Sequence, residues 1–202
     1  MKKIISFFTI LFLFANAAYA APRHHKKANK ADNLQGHTEI AANIFDATLG
    51  DAHGDLENAV GFGIDGHYYI FDNFALGADF SMNSNKCSMP GTNKVNFNQF
   101  GIYSKLYSQP FKIGSSDWRA YGVFGLATYG MEIKYQGGKV DDRAFGVNYG
   151  AGLMHRFTDT NVILNLEIRM HRSFQEDLSQ NGTPQYEKAV YTNYGFLIGY
   201  RF

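Results

Sequence analysis

From Val60 to Ile70 the chain alternates: Val60, Phe62, Ile64, Tyr68 and Ile70 share one parity, and Gly61, Gly63, Asp65 and His67 share the other. A period of two puts the first set on one face of an extended strand and the second on the opposite face. Phe74 to Met82 repeats this, with Phe74, Leu76, Ala78, Phe80 and Met82 against Gly77, Asp79 and Ser81. From Phe145 to Phe157, Phe145, Val147, Tyr149, Ala151, Leu153 and Phe157 oppose Gly146, Asn148, Gly150, Gly152 and Arg156. Val162, Leu164, Leu166, Ile168 and Met170 oppose Asn165, Glu167, Arg169 and His171, and the last segment sets Tyr194, Phe196, Ile198, Tyr200 and Phe202 against Gly195, Gly199 and Arg201. Less regular segments near His37–Leu49, Phe97–Ser108 and Trp118–Tyr135 complete a pattern of about eight strands.

The connectors alternate too. Asp72-Asn73 and Thr158–Asn161 are tight, whereas Asn83–Lys94, Gln136–Arg143 and Gln175–Ala189 are long and polar, with Gly50–Glu57 intermediate. Short turns at one rim and longer loops at the other belong to a membrane barrel. Gln109–Asp117 breaks the rule, being nearly loop-length on the short-turn rim.

Which face is inside follows from what each carries. Asp65, Asp79, Lys105, Arg156, Glu167, Arg169 and Arg201 sit on the polar parity. A soluble core would not be built from them, but opposite charges can neutralise one another in a narrow lumen. A sheet whose apolar face meets hydrocarbon must close, because an unpaired edge there leaves backbone groups unsatisfied at several kcal/mol each. The expected fold is therefore all-β: a closed antiparallel up-and-down transmembrane β-barrel of about eight strands, with an interior just wide enough to be filled by side chains. Tyr68, Tyr69, Phe71 and Phe74 at one turn, and Trp118 and Tyr121 after another, suit an interfacial girdle.

The first twenty residues add a destination. Lys2 and Lys3, the apolar run Ile4–Phe14 and Ala18-Tyr19-Ala20 have the order of a secretory signal peptide over 1–20, and the run falls short of the roughly 20 residues a helical span needs. No later apolar run approaches that length. Residues 21–35 read as a basic flexible tail, and 36–202 as the barrel. Removing Lys2 and Lys3 leaves 17 basic against 18 acidic residues, a formal charge of −1, which points away from a nucleic-acid partner. Cys87 is the sole cysteine, which excludes an internal disulfide.

With the signal peptide, the alternation and the closing Tyr200-Arg201-Phe202 in view, the chain from Gln35 to Phe202 resembles the small outer-membrane barrels of the OmpA transmembrane-domain, OmpX and opacity-protein kind. The resemblance implies an outer-membrane location. Tyr200 and Phe202 would then serve as the terminal signal read by the barrel-assembly machinery, and outer-membrane lipid and lipopolysaccharide would be the surroundings. It also implies a structural or adhesin-like role through the loops, with a host or surface ligand at Gln175–Ala189, the longest of them. A narrow porin-like channel, opened by rearranging the lumen charges, is the alternative.

Chemistry is sparse. Gly61-Phe62-Gly63 and Gly150-Ala151-Gly152 echo phosphate loops but sit inside strands. His24-His25 and Asp141-Asp142 offer too few ligands for a metal, so neither metal nor cofactor is expected. His171-Arg172-Ser173 is sharper, because a His can activate a Ser while a carboxylate, Glu176 or Glu187, orients it. It resembles the lipid A 3-O-deacylase family of PagL type, which implies His171 as base, Ser173 as nucleophile and Glu187 as orienter. That family has Asn after its Ser, where this chain has Phe174, and its site faces lipid. His171 shares parity with Asn165, Glu167 and Arg169, so strand phase makes it a lumen residue unless a bulge intervenes, and no enzyme is the expectation.

Overall fold

The computed structural model describes residues 33–49, 57–86, 92–135, 138–157, 160–174 and 190–202. They form nine strands: β1 Thr38–Leu49, β2 Ala59–Phe71, β3 Phe74–Lys86, β4 Thr92–Tyr107, β5 Phe111–Ile113, β6 Ser116–Tyr135, β7 Gly138–Arg156, β8 Val162–Ser173 and β9 Val190–Arg201. Eight pair antiparallel with their neighbours in a closed ring, β9 returning to β1 and β4 pairing directly with β6. The short β5 folds back on the start of β6, pairing Phe111 with Trp118 across a turn at Gly114, whose φ of 61° is a left-handed conformation that suits glycine. That hairpin is the physical reason for the long connector on the short-turn rim.

The register fixes the barrel's shape. Starting at Thr38, the partners run Tyr68, Leu76, Ser104, Phe124, Tyr149, Met170 and Thr192, and return to β1 at Thr48, ten residues further along. A stagger of that size over eight strands, at ~3.3 Å per residue and ~4.8 Å between strands, tilts each strand by about 40°.

Outward positions are the apolar parity: Ile44, Phe62, Ile64, Phe100, Phe196 and Ile198 all project from the wall with more than half their surface uncovered. On a soluble protein such an apolar band would be an aggregation surface; on a barrel it is the lipid contact. Among the described residues no helix is long and apolar enough to cross a membrane. The rim carrying the strand termini and the short turns is the periplasmic one.

Several expectations need correction. The loops expected at Asn83–Lys94 and Gln136–Arg143 are largely strand, since β3 runs to Lys86, β4 starts at Thr92 and β7 starts at Gly138. Beyond the membrane the outward face meets water while Val95 and Ile133 stay buried on the inward one, so the outer apolar parity ends while the hydrogen-bond ladder continues, through Lys134↔Lys139 among others. Asp141 and Asp142 therefore lie in β7 rather than at a loop tip, with Asp141 3.1 Å from Lys139. The tail expected to be solvated as far as residue 35 is anchored at its end: Leu34 is buried in the periplasmic mouth, its N–H donating to Asp72 Oδ1 at 2.8 Å. Tyr69 and Tyr121, expected in an interfacial girdle, are buried inside the barrel because their parity is inward. The signal peptide, Cys87, His24-His25, Gln175–Ala189 and Glu187 lie outside the described residues.

Candidate functional site

Among the described residues, the buried ionisable groups converge in the lumen. Asp65 and Asp79 are direct cross-strand partners on β2 and β3, a like-charge pair that is unfavourable on its own. Two cations answer it. Lys105, on β4 and fully buried, has its Nζ 3.3 Å from Asp65 Oδ1 and 3.8 Å from Glu167 Oε2. Arg169, reaching across from β8, pairs with Asp79, lies 2.7 Å from Glu167 Oε1 and 3.8 Å from Asp65 Oδ2. Taking each ion out of water costs several kcal/mol, so the cluster stands only because every charge meets an opposite one and most of the remaining lone pairs accept hydrogen bonds, Asp65 Oδ2 being the one left without.

Neutral donors supply much of the rest. Gln99 Nε2 donates to Asp79 at 3.1 Å and Tyr121 donates to Glu167 Oε2 at 2.9 Å. A further carboxylate, Glu39 on β1, accepts from Tyr69 at 2.7 Å and from Asn165 at 2.9 Å. His67 bridges it to the cluster, with Nε2 3.5 Å from Glu39 and Nδ1 3.1 Å from Asp65.

Below the charges, Tyr69, Tyr107 and Tyr121 form an aromatic layer, with ring centroids 5.4 Å apart for Tyr69–Tyr107 and 5.3 Å for Tyr107–Tyr121. Leu34, Met154 and Ile163 complete it. Glycines make the room: Gly152 is the register partner of Tyr121 and Gly77 of Tyr103, and a Cβ at either would run into the tyrosine ring. The gap left above Asp65 and Asp79, between Asn43, Gln99, His171 and Asn193, is about 20 Å³. That is room for a single water.

Of the seven charges on the polar parity, Asp65, Asp79, Lys105, Glu167 and Arg169 meet in one cluster. Arg156 and Arg201 lie at the periplasmic ends of β7 and β9, outside it. Sequence parity missed Glu39, which sits in a segment with poor alternation, and gave no cue to the tyrosine layer. The recoverable signal was an inward aromatic opposite an inward glycine on the next strand.

The description of the family that matches residues 8–202 is that of an outer-membrane protein β-barrel domain. The chain belongs to that family. Solved structures share the fold of this outer-membrane barrel. The N-terminal barrel domain of Pseudomonas aeruginosa OprF is 15% identical, covering 83% of this chain and 98% of that one with a TM-score of 0.53. Yersinia pestis Ail, the attachment invasion locus protein, is 14% identical, covering 84% and 100% at 0.54. The neisserial surface protein NspA is 14% identical, covering 82% and 94% at 0.55. No curated protein matches the sequence.

The barrel's late His-X-Ser lies on the lumen side. The β7–β8 ladder runs from Gly146↔Ser173 to Arg156↔Ile163 without a register shift, so both His171 and Ser173 point inward and are buried. The His171 ring stacks on Tyr191 at 4.4 Å; its Nδ1 is 3.3 Å from the Tyr129 hydroxyl and its Nε2 3.1 Å from Asn193 Nδ2. Both nitrogens are thus engaged by lumen groups, away from the lipid that a deacylase must reach. Tyr200 and Phe202 face outward as an edge-on pair 4.9 Å apart. Above the membrane, Lys134 and Asn96 hold the Glu132 carboxyl below its ordinary range.

Proposed function

We propose that this outer-membrane barrel is a closed anchor whose work is done at the cell surface, as a structural or surface-interaction protein. The observation that carries the reading is the sealed lumen: a tyrosine layer over Leu34, a cross-barrel ion cluster above it, and above the cluster space for one water. The projecting hairpins support it. A transmembrane strand needs about 9–11 residues, and β6 and β7 have 20 and 19, so their joined end stands well clear of the bilayer. Planar-bilayer recording of the reconstituted chain tests the seal: no unitary steps are expected, and stable openings would favour a narrow pore instead. Binding of expressing cells to host-matrix and epithelial surfaces, compared with cells whose β6–β7 hairpin is shortened by replacing residues 131–142 with a tight turn, tests the surface role. Equal binding by both would count against that hairpin as the contact.

A further inference from the structure

The membrane-facing wall is interrupted on β4, β6 and β7 near its extracellular end. Across β4, β6 and β7 the outward residues form two rows: Asn98↔Gly130↔Arg143, and one step closer to the membrane centre Phe100↔Thr128↔Phe145. Between them lies a notch of about 400 Å³. At its floor Gly130 has no side chain, and the Asn98 side-chain amide lies over it. Arg143 is exposed at the top, and Phe100 and Phe145 are exposed at the bottom. Phe145 pairs with Phe174, the residue after β8, at 6.2 Å. Below Phe145 on β7 comes Val147, whose partner on β8 is a second exposed outward arginine, Arg172.

An arginine on the lipid face costs about 2–4 kcal/mol at the bilayer midplane and nearly nothing at the interface. Two of them on adjacent strands, around an aromatic pair, lie where the apolar wall gives way to the charged hairpin of Glu132, Lys134 and Lys139. That is headgroup depth in the outer leaflet. Planar guanidinium groups bind phosphate through paired hydrogen bonds. Asn98 and Thr128 supply amide and hydroxyl partners beside them, and Phe100, Phe145 and Phe174 supply apolar surface beneath. We infer that this notch binds a phosphorylated, multiply acylated glycolipid of the outer leaflet, with phosphates on Arg143 and Arg172, the sugar against Asn98 and Thr128, and acyl chains along the phenylalanines. The inference is independent of the role proposed above, since a sealed anchor and a pore would carry the same wall.

Native mass spectrometry of the full chain in mild detergent, titrated with diphosphoryl lipid A, monophosphoryl lipid A or dioleoyl phosphatidylglycerol, tests it. Heat-dependent gel mobility checks the fold of each variant. Diphosphoryl lipid A is expected to bind at least about tenfold tighter than phosphatidylglycerol, with the monophosphoryl form between them. Arg143→Gln with Arg172→Gln should weaken it about tenfold or more, the scale of one charge-assisted hydrogen bond lost. Gly130→Leu, whose side chain pushes the Asn98 amide out of the notch and keeps the charges, should weaken it as well, while Lys134→Gln with Lys139→Gln on the hairpin above should not. Equal retention of phosphatidylglycerol, or double-Gln and Gly130→Leu variants that bind lipid A as the parent does, would overturn the assignment.

Discussion

The two halves of the lumen are polar in different ways. Toward the periplasm, Glu39, Asp65, Asp79 and Glu167 face Lys105, Arg169 and His67, closed off by tyrosines. Toward the cell surface the buried polar groups are Ser81, Asn83, Asn85, Gln99, Asn148 and Asn193, with His171 stacked among them. A carboxylate only accepts and a guanidinium only donates, so each ion in the lower half depends on particular partners. An amide does both and can turn to find another neighbour. The lower half therefore depends on particular ion pairs and the upper half does not, although both keep loose ends: among the described residues, Asn148 and the Oδ1 atoms of Asn43 and Asn193 above, and Asp65 Oδ2 and Asn165 Oδ1 below, are buried without a hydrogen-bond partner.

Breaking that contrast begins with Arg169. Arg169→Met leaves Asp65, Asp79 and Glu167 short of their cation, and removing one partner of a buried pair costs about 3–5 kcal/mol. Urea unfolding in phosphocholine vesicles should show a loss of that size, and a change under ~1 kcal/mol would mean the cluster is hydrated and contributes little. Next comes the seal. Gly152→Val drives a side chain into the Tyr121 ring, and overpacking of this kind costs about 1–3 kcal/mol. Adding Tyr121→Ser should recover part of it, and failure to do so would locate the strain in the backbone. Leu34→Ala should cost less still, because Leu34 caps an end of the stack. Its readout is faster proteolysis of the segment before β1 with the barrel band intact. In the upper half, Asn193→Ala removes one amide from a group of similar ones and should cost about 0.5–1.5 kcal/mol. If it matched Arg169→Met, the two halves would not differ. Smallest of all, Glu132→Gln on the exposed hairpin should leave thermal unfolding unchanged at moderate salt, since solvent already screens its ion pairs.

Periodicity carried most of the fold. Where one face met lipid and the other the lumen, as in Val162–Met170, alternation alone placed both sets of side chains, and Asp65, Asp79, Lys105, Glu167 and Arg169 could be put inside by parity. It failed where the environment stopped being two-sided. Lys134 and Lys139, register partners on the outward face, stand in water where the outer positions are no longer apolar, so nothing in their pattern marks a strand. Tyr69 and Tyr121 misled in another way, because an aromatic near a strand end suits an interface and a lumen plug equally, and only its phase decides, Tyr69 facing Ala75 and Tyr121 facing Gly152 across the ladder. Leu34 had no periodic neighbours at all. The late His-X-Ser shows the converse, in that an unbroken register is enough to turn a catalytic-looking motif inward.

The cross-lumen bonds also bear on the order of assembly. Asn165 reaches Glu39 over 126 residues of chain, and Arg169 reaches Asp79 over 90. Contacts so distant in sequence form late, because the loop entropy is lost before the bond returns anything. Until β9 lies against β1, the same carboxylates and cations line an open sheet that lipid would reject. Closure and insertion are thus expected to be a single step, with the outward Tyr200 and Phe202 of the final strand offered to whatever holds the ring open until its last edge is in place.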